Sequence, residues 1–438
     1  MKKIRLDVVN ENLYYEKLSN GLDVYIIKKD NYKTNYACFG TKFGGLDLEF
    51  IPFLEKDYVK MPSGIAHFLE HKLFEQENGV SALNYYKSSG YVVNAYTNYK
   101  TTKYYCYGTN NFEENLLYLI DFVQTPYLTD ENIEKEKGII LEEAYMTLDD
   151  PDRLFSEKIM DNVYSSDLYK NNVIGSIEDI KSITKEDLNK CYKTFYAPSN
   201  MHLLIVTNND VNNIIDLIKN NQRKKKFDKV KIIKKEYEED EKVNKSYEVI
   251  KADVKENRMC YSIKISLSKL NCSKLEAYDY LSIYLGIIIG NLSEFNLKLK
   301  NKRIIKDDLM FRISSDKTKN DTYIIIKIFT LTDNPKKTIE LLEKELTKKN
   351  IKEEDFNIYK KSIISDLNYA FNSIDGIMEF MKNEYDFFDK IDSKSIKDEL
   401  HLNYDDFNRV INNFNNKNNS IVIMENKLWY NSHSYLFS

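Results

Sequence analysis

The sequence predicts an α+β fold of two tandem homologous α/β domains, each a mostly antiparallel sheet covered by helices. Three observations lead there. The chain has 438 residues, too many for one ordinary core, so two domains of roughly 200 residues are expected. Runs with strand alternation and runs with helical periodicity both recur along the first half. Residues 176–195, SIEDIKSITKEDLNKCYKTF, align without gaps to residues 395–414, SIKDELHLNYDDFNRVINNF.

Six positions of that repeat are identical: Ser176/Ser395, Ile177/Ile396, Asp179/Asp398, Asp187/Asp406, Asn189/Asn408 and Phe195/Phe414. The offset is 219 residues (395 − 176), half of 438. It also carries SNMHLLIVTN (199–208) onto NNSIVIMENK (418–427), each an apolar run after Asn that reads as the closing strand of its half. The expected organisation is an N-terminal domain over 1–220, a charged linker over 221–246 and a homologous C-terminal domain over 247–438. The linker, NQRKKKFDKVKIIKKEYEEDEKVNKS, is dense in both signs of charge and reads as solvated, with a short strand around Val230 to Ile233.

In chain order, LSNGLDVYIIKKD gives an Asn20-Gly21 turn feeding an alternating strand, and NYACFGTKFGG reads as its partner. A helix is expected from about Ser63. YVVNAYTNYKTTKYYCYGT reads as a strand pair rich in β-branched and aromatic residues. A long helix follows from about Thr129, whose hydroxyl and the acids Asp130 and Glu131 suit a helix start. LSIYLGIIIGNL (281–292) is too short to span a bilayer and reads as a buried helix, so no membrane span is expected.

Composition excludes several classes. With 64 basic against 68 acidic residues, net charge −4, no global field favours nucleic acid or an anionic membrane. Hydrophobic residues at 42% and aromatics at 13% supply packed interiors, which argues against disorder. Cys38, Cys106, Cys191, Cys260 and Cys272 form no CxxC pair and read as reduced core thiols. The opening MKKIRLDVVNENLYY lacks the apolar run of a secretion signal, so a cytoplasmic location is expected.

The chemistry concentrates in SGIAHFLEHKLFE, residues 63–75, which holds three functional groups in a chain with five histidines. His67 and His71, four apart, share a helix face and can aim two imidazoles at one ion, with Glu70 beside them. Zinc suits these donors, and a catalytic zinc needs three protein ligands plus an open position. It lowers the pKa of a water there, which a carboxylate must then deprotonate, and Glu70 is placed to do so. EKEKGIILEEAYM (134–146) offers Glu136 and Glu143, two turns apart on one face; either could complete the ligand set while the other supports it. Glu142 points about 100° away. Adding 219 to the motif lands on Gly286 to Gly290, GIIIG, so the second half has apolar residues there.

GIAHFLEHKLFE, EKEKGIILEEAYMTLDDPD and FYAPSNMHLLIV together resemble the pitrilysin/insulinase family of inverted-motif (HxxEH) zinc metallopeptidases, in the bacterial branch of half-length processing-peptidase-like proteins. The resemblance covers the first half strongly and the second weakly. It implies a zinc endopeptidase with one zinc per chain held by His67, His71 and Glu143, Glu70 as general base and Glu136 as the supporting glutamate. The family's Asn-Ala-x-Thr strand, which borders the substrate, falls on Asn94, Ala95 and Thr97, an edge to which a peptide substrate could add as a strand. The two domains are implied to form half of a clam-like chamber. The family's Arg and Tyr, seven apart in the second domain, fall on Lys300 and Asp307, with Arg303 nearby and no Tyr seven beyond it. This departure implies a heterodimer in which a paralogous partner supplies the Arg/Tyr pair. The alternative reading is a non-catalytic peptide-binding or scaffold subunit of a processing complex.

Overall fold

The computed structural model describes residues 1–77, 79–391 and 402–427, so Ser395, Ile396 and Asp398 of the repeat lie outside the described residues. Its residues group into two compact units.

The first unit holds residues 1–146, 171–235 and 366–391. Its main sheet is built from β1 (Lys2–Leu6), β2 (Glu11–Lys17), β3 (Asp23–Lys28) and β4 (Asn35–Thr41), followed, after the short strands β5 (Glu49–Ile51) and β6 (Val59–Lys60), by β7 (Val92–Thr97), β8 (Thr102–Gly108) and β9 (Met201–Thr207). The order is β1-β2-β3-β9-β4-β8-β7. The Asn20-Gly21 turn forms as expected, with Gly21 at φ 93° and Lys17 facing Asp23 across the hairpin. β4, however, is not the partner of β3: β9 lies between them, parallel to β3 and antiparallel to β4. Both β4 and β9 are buried at every residue, and strands buried on both faces take central places that local alternation does not reveal. β7 and β8 form the expected pair, with Thr97 opposite Thr102, and β7 is the sheet's edge.

The second unit holds residues 147–170, 236–365 and 402–427. Its strands are β11 (Tyr247–Ala252), β12 (Arg258–Ser266), β13 (Met310–Lys317), β14 (Thr322–Leu331) and β15 (Asn419–Asn426), ordered β11-β15-β12-β14-β13. This is the order β3-β9-β4-β8-β7 again, with β15 parallel to β11 and antiparallel to β12 as β9 is to β3 and β4. The helices Lys185–Phe195 and Tyr404–Asn413 that precede β9 and β15 start 219 residues apart (404 − 185). Their caps match too: Thr184 accepts from the N–H of Asp187, and Asn403 from that of Asp406. The chain is thus two copies of one mostly antiparallel α/β arrangement. The apolar run at 281–292 lies largely in helix Lys274–Ile289, buried against the second sheet.

Packing departs from the expected boundaries at two segments. Residues 147–170 belong with the second unit, and those from 366 onward with the first. The two segments begin 219 residues apart (366 − 147), so they are counterparts in the repeat that have changed places. Helix Ile374–Phe388 lays Ile377, Met378, Met381 and Tyr385 on Tyr25, Ile27, Tyr36, Leu204 and Val206 of the first sheet. Helix Pro151–Val163 lays Phe155 and Ile159 on Cys260, Val422 and Met424 of the second. The charged segment 221–246 is also more structured than a solvated linker: Ile233–Lys234 forms β10, paired to β5, and Glu239 is fully buried against Lys264.

Candidate metal centre

The motif helix, Ile65–Leu73, starts at Gly64, whose φ of 85° lies in the left-handed region. A Cβ there would sit 2.1 Å from the carbonyl oxygen of Ile174, so the chain can turn this sharply only with glycine. Ser63 donates to the Asp179 carboxylate and accepts from the N–H of Ser176 at 3.2 Å, which ties the start of the motif helix to the start of helix Ile177–Ser182. Ile65, Phe68, Leu69 and Leu73 are buried in the core, which fixes the helix's rotation. His67 and Glu70 are 8% exposed, and His71 is partly open.

The second helix of the site, Asp130–Leu148, is capped by Thr129 and Asn132, which exchange side-chain to N–H bonds of 2.9 and 3.1 Å. It brings Glu143 opposite the motif. Glu143 Oε1 lies 3.8 Å from His67 Nε2, and Oε2 lies 3.7 Å from His71 Nε2. These separations are too long for hydrogen bonds. One ligand atom from each of the three residues falls within 4.8 Å of the others. A tetrahedral zinc with bonds of about 2.0–2.2 Å sets its ligand atoms a little over 3 Å apart, so a modest inward shift closes this set around one ion. Glu136, two turns earlier, meets the other side of His71, with Oε1 at 3.1 Å from Nδ1. A carboxylate only accepts, so Nδ1 carries a proton, and Nε2 is the nitrogen turned toward Glu143, available to a metal once its own proton is displaced. Glu142 is exposed and turned away, as its position on the helix requires.

Electrostatics favour a bound cation. Burial pushes the His67 imidazole down to about 3, with His71 adding to the effect, so it is neutral and able to ligate. Burial also pulls His71 down, but the hydrogen bond to Glu136 and the charges of Glu70, Glu136 and Glu143 lift it above its ordinary value. Three carboxylates thus hold a proton on His71, and a metal ion can take over that role. Burial raises the Glu70 carboxyl, partly offset by Thr97, whose hydroxyl donates to Oε2 at 2.6 Å. A base lifted toward neutrality takes a proton more readily.

Residues 57–176 match the insulinase family (peptidase family M16), and residues 182–363 match the peptidase M16 inactive domain. YmfH of Bacillus subtilis (strain 168), an uncharacterised zinc protease, is 37% identical over 318 residues, 72% of this chain and 74% of its own. The chain belongs to the insulinase family, peptidase family M16. The mitochondrial-processing peptidase subunit beta of Homo sapiens is 27% identical over 161 residues, 36% of this chain and 33% of that one. The crystal structure of a putative M16-like peptidase from Alicyclobacillus acidocaldarius superposes with a TM-score of 0.85 at 26% identity, covering 95% of this chain and 99% of that chain.

In this M16 chain the structure brings together His67, Glu70, His71, Glu136 and Glu143, and adds Thr97 through its hydroxyl. Asn94 is exposed on the free edge of β7, where its side-chain oxygen accepts from the N–H of Ala95 at 2.8 Å. Two supporting residues are invisible in the sequence pattern. Lys72 is fully buried, reaching Glu75, the carbonyl of Asn132 at 3.2 Å and Glu136 Oε2 at 3.7 Å, so it fixes the Glu136 carboxylate from behind. Thr102 meets Thr97 at 3.2 Å from β8. A lysine beside a histidine on an amphipathic helix ordinarily reads as a solvated residue. In the second unit, Lys300 pairs with Asp308 at 2.9 Å, and Asp307 follows where the family resemblance places a tyrosine. Among the described residues no helix is long and apolar enough to cross a membrane.

Proposed function

We propose that this chain is a zinc-dependent endopeptidase of the cytoplasm that cuts peptides, with one zinc held by His67, His71 and Glu143. The observation that carries the reading is the convergence of two imidazole nitrogens and a carboxylate that face one another without bonding, beside a carboxylate held by a hydroxyl. Zinc, when bound, polarises a carbonyl and lowers the pKa of a water. Glu70 accepts that water's proton and delivers it to the leaving amine. Thr97 holds the Glu70 carboxylate in position, and Glu136 keeps His71 in its ligating tautomer. Asn94 and Ala95 offer the free edge of β7 to the substrate's main chain.

Lys300 and Asp307 lack the chemistry to hold an oxyanion in the way an Arg/Tyr pair does. The chain therefore acts as the metal-bearing subunit of a heterodimer, with a related partner supplying that pair and closing the chamber. The test is zinc content and peptide hydrolysis in protein purified without chelator. About one zinc per chain is expected, kept in Glu70→Gln with hydrolysis lost, and absent in His71→Ala. Folded protein that takes up no zinc would leave the scaffold-subunit reading instead.

A further inference from the structure

Strands β13 and β14 set Arg312 and Lys327 directly opposite one another. Like charges facing across a strand pair repel. Among the described residues neither has a carboxylate partner at ion-pairing distance; Lys327 Nζ rests on the Met160 sulfur at 3.1 Å. The neighbouring charges are engaged elsewhere. Arg258 pairs with Asp152 and Lys300 with Asp308, while Asp307 accepts from the N–H of Asp308 and Asp316 from Tyr164. Burial pulls Lys327 below its ordinary value and Arg312 pushes the same way, against Cys260 and Asp316.

The two cations open on a cavity of about 1090 Å³ within the second unit, lined also by Phe155, Met310, Ser314 and Phe329. β13 is the edge of its sheet, so among the described residues one side of its backbone has no strand partner. Met310, Arg312 and Ser314 are exposed along the same face. A cation pair flanked by apolar side chains at an open strand edge suits a chain that brings a negative charge and its own backbone hydrogen bonds.

We propose that Arg312 and Lys327 form a carboxylate-binding subsite on the second unit, which takes an Asp or Glu side chain of an extended peptide. The carboxylate relieves the repulsion between the two cations, and apolar residues two positions away rest on Met310 and Phe329. The site is independent of the zinc reading, because it lies in the unit without the metal motif.

The test is binding of a fluorescein-labelled decapeptide of alternating Val and Thr with one central Glu, to full-length protein carrying Glu70→Gln so that no cleavage intervenes. The Gln version of the peptide is expected to bind about tenfold more weakly, as loss of charge-assisted hydrogen bonds implies. Arg312→Gln and Lys327→Met should each abolish that preference, and Arg312, being exposed, can be replaced without disturbing the core. Equal binding of the Glu and Gln peptides to the unaltered second unit would overturn the proposal without any variant there. Retention of the preference in both variants would overturn it as well. So would a site that binds sodium glutarate in an Arg312-dependent way and ignores the peptide.

Discussion

Thr97 and His202 are the single residues whose surroundings make the sharpest demands. The Thr97 hydroxyl is a donor to Glu70, and valine has the same shape without it. Thr97→Val is expected to lower kcat about tenfold, the worth of a hydrogen bond to a charged group, with zinc content unchanged. Steady-state kinetics beside metal analysis checks this; an unchanged kcat would remove Thr97 from the machinery. His202 on β9 is fully buried, stacks on Tyr385 with ring centroids 3.7 Å apart, and among the described residues has no hydrogen-bond partner at either nitrogen. Burial, with Lys103 and Lys42 adding to it, holds its pKa well below 6.5. The unfolded chain therefore binds the proton that the folded one refuses, and stability falls as pH drops below about 6.5. The slope from this group approaches about 1.4 kcal/mol per pH unit. Denaturant unfolding at pH 7.5 and 5.5 should show a smaller acid loss in His202→Phe than in the parent; equal losses would place the acid sensitivity elsewhere.

At the scale of elements, the site depends on how the motif helix begins. Gly64 and Gly175 both have positive φ, and each would drive a Cβ into the other segment's backbone. The sharp turn at Gly64 lets the helix present Ile65, Phe68 and Leu69 to the core while His67 and His71 face Glu143. Gly64→Ala forces a left-handed residue against the Ile174 carbonyl and is expected to cost about 1–3 kcal/mol. Because the same turn sets the angle of both histidines, zinc affinity should fall along with the melting temperature. Zinc titration with a competing chelator checks the coupling, and a destabilised variant with unaltered affinity would uncouple the turn from the site.

At the scale of the whole molecule, each sheet takes its covering helix from the other half of the sequence. Ile377, Met378, Met381 and Tyr385 are each at most 2% exposed on the first sheet, which at about 1.5–3 kcal/mol per large apolar side chain amounts to about 6–12 kcal/mol. That rivals the entire stability of an ordinary domain, about 5–15 kcal/mol. A fragment of residues 1–220 lacks this helix and is expected to aggregate. Residues 1–235 joined through a flexible linker to 366–391 should be monomeric by size exclusion. A 1–220 fragment that is monomeric and melts cooperatively would refute this account of the core.

The sequence by itself determined whatever short-range pattern controls. His67, Glu70 and His71 share a face because a helix repeats every 3.6 residues. The Asn20-Gly21 turn follows from the backbone freedom of those two residues, and the copy at offset 219 was legible because each repeat carries its own caps and apolar period. Spacing left Glu136 and Glu143 interchangeable; distance separates them, with Glu136 on His71 Nδ1 and Glu143 facing both Nε2 atoms. Tertiary structure alone decided that β9 enters between β3 and β4, that Lys72 is buried behind Glu136, and that segments 147–170 and 366–391 trade sheets. Each of these depends on which apolar face is left uncovered once distant strands have paired, and no local period in the chain encodes that choice.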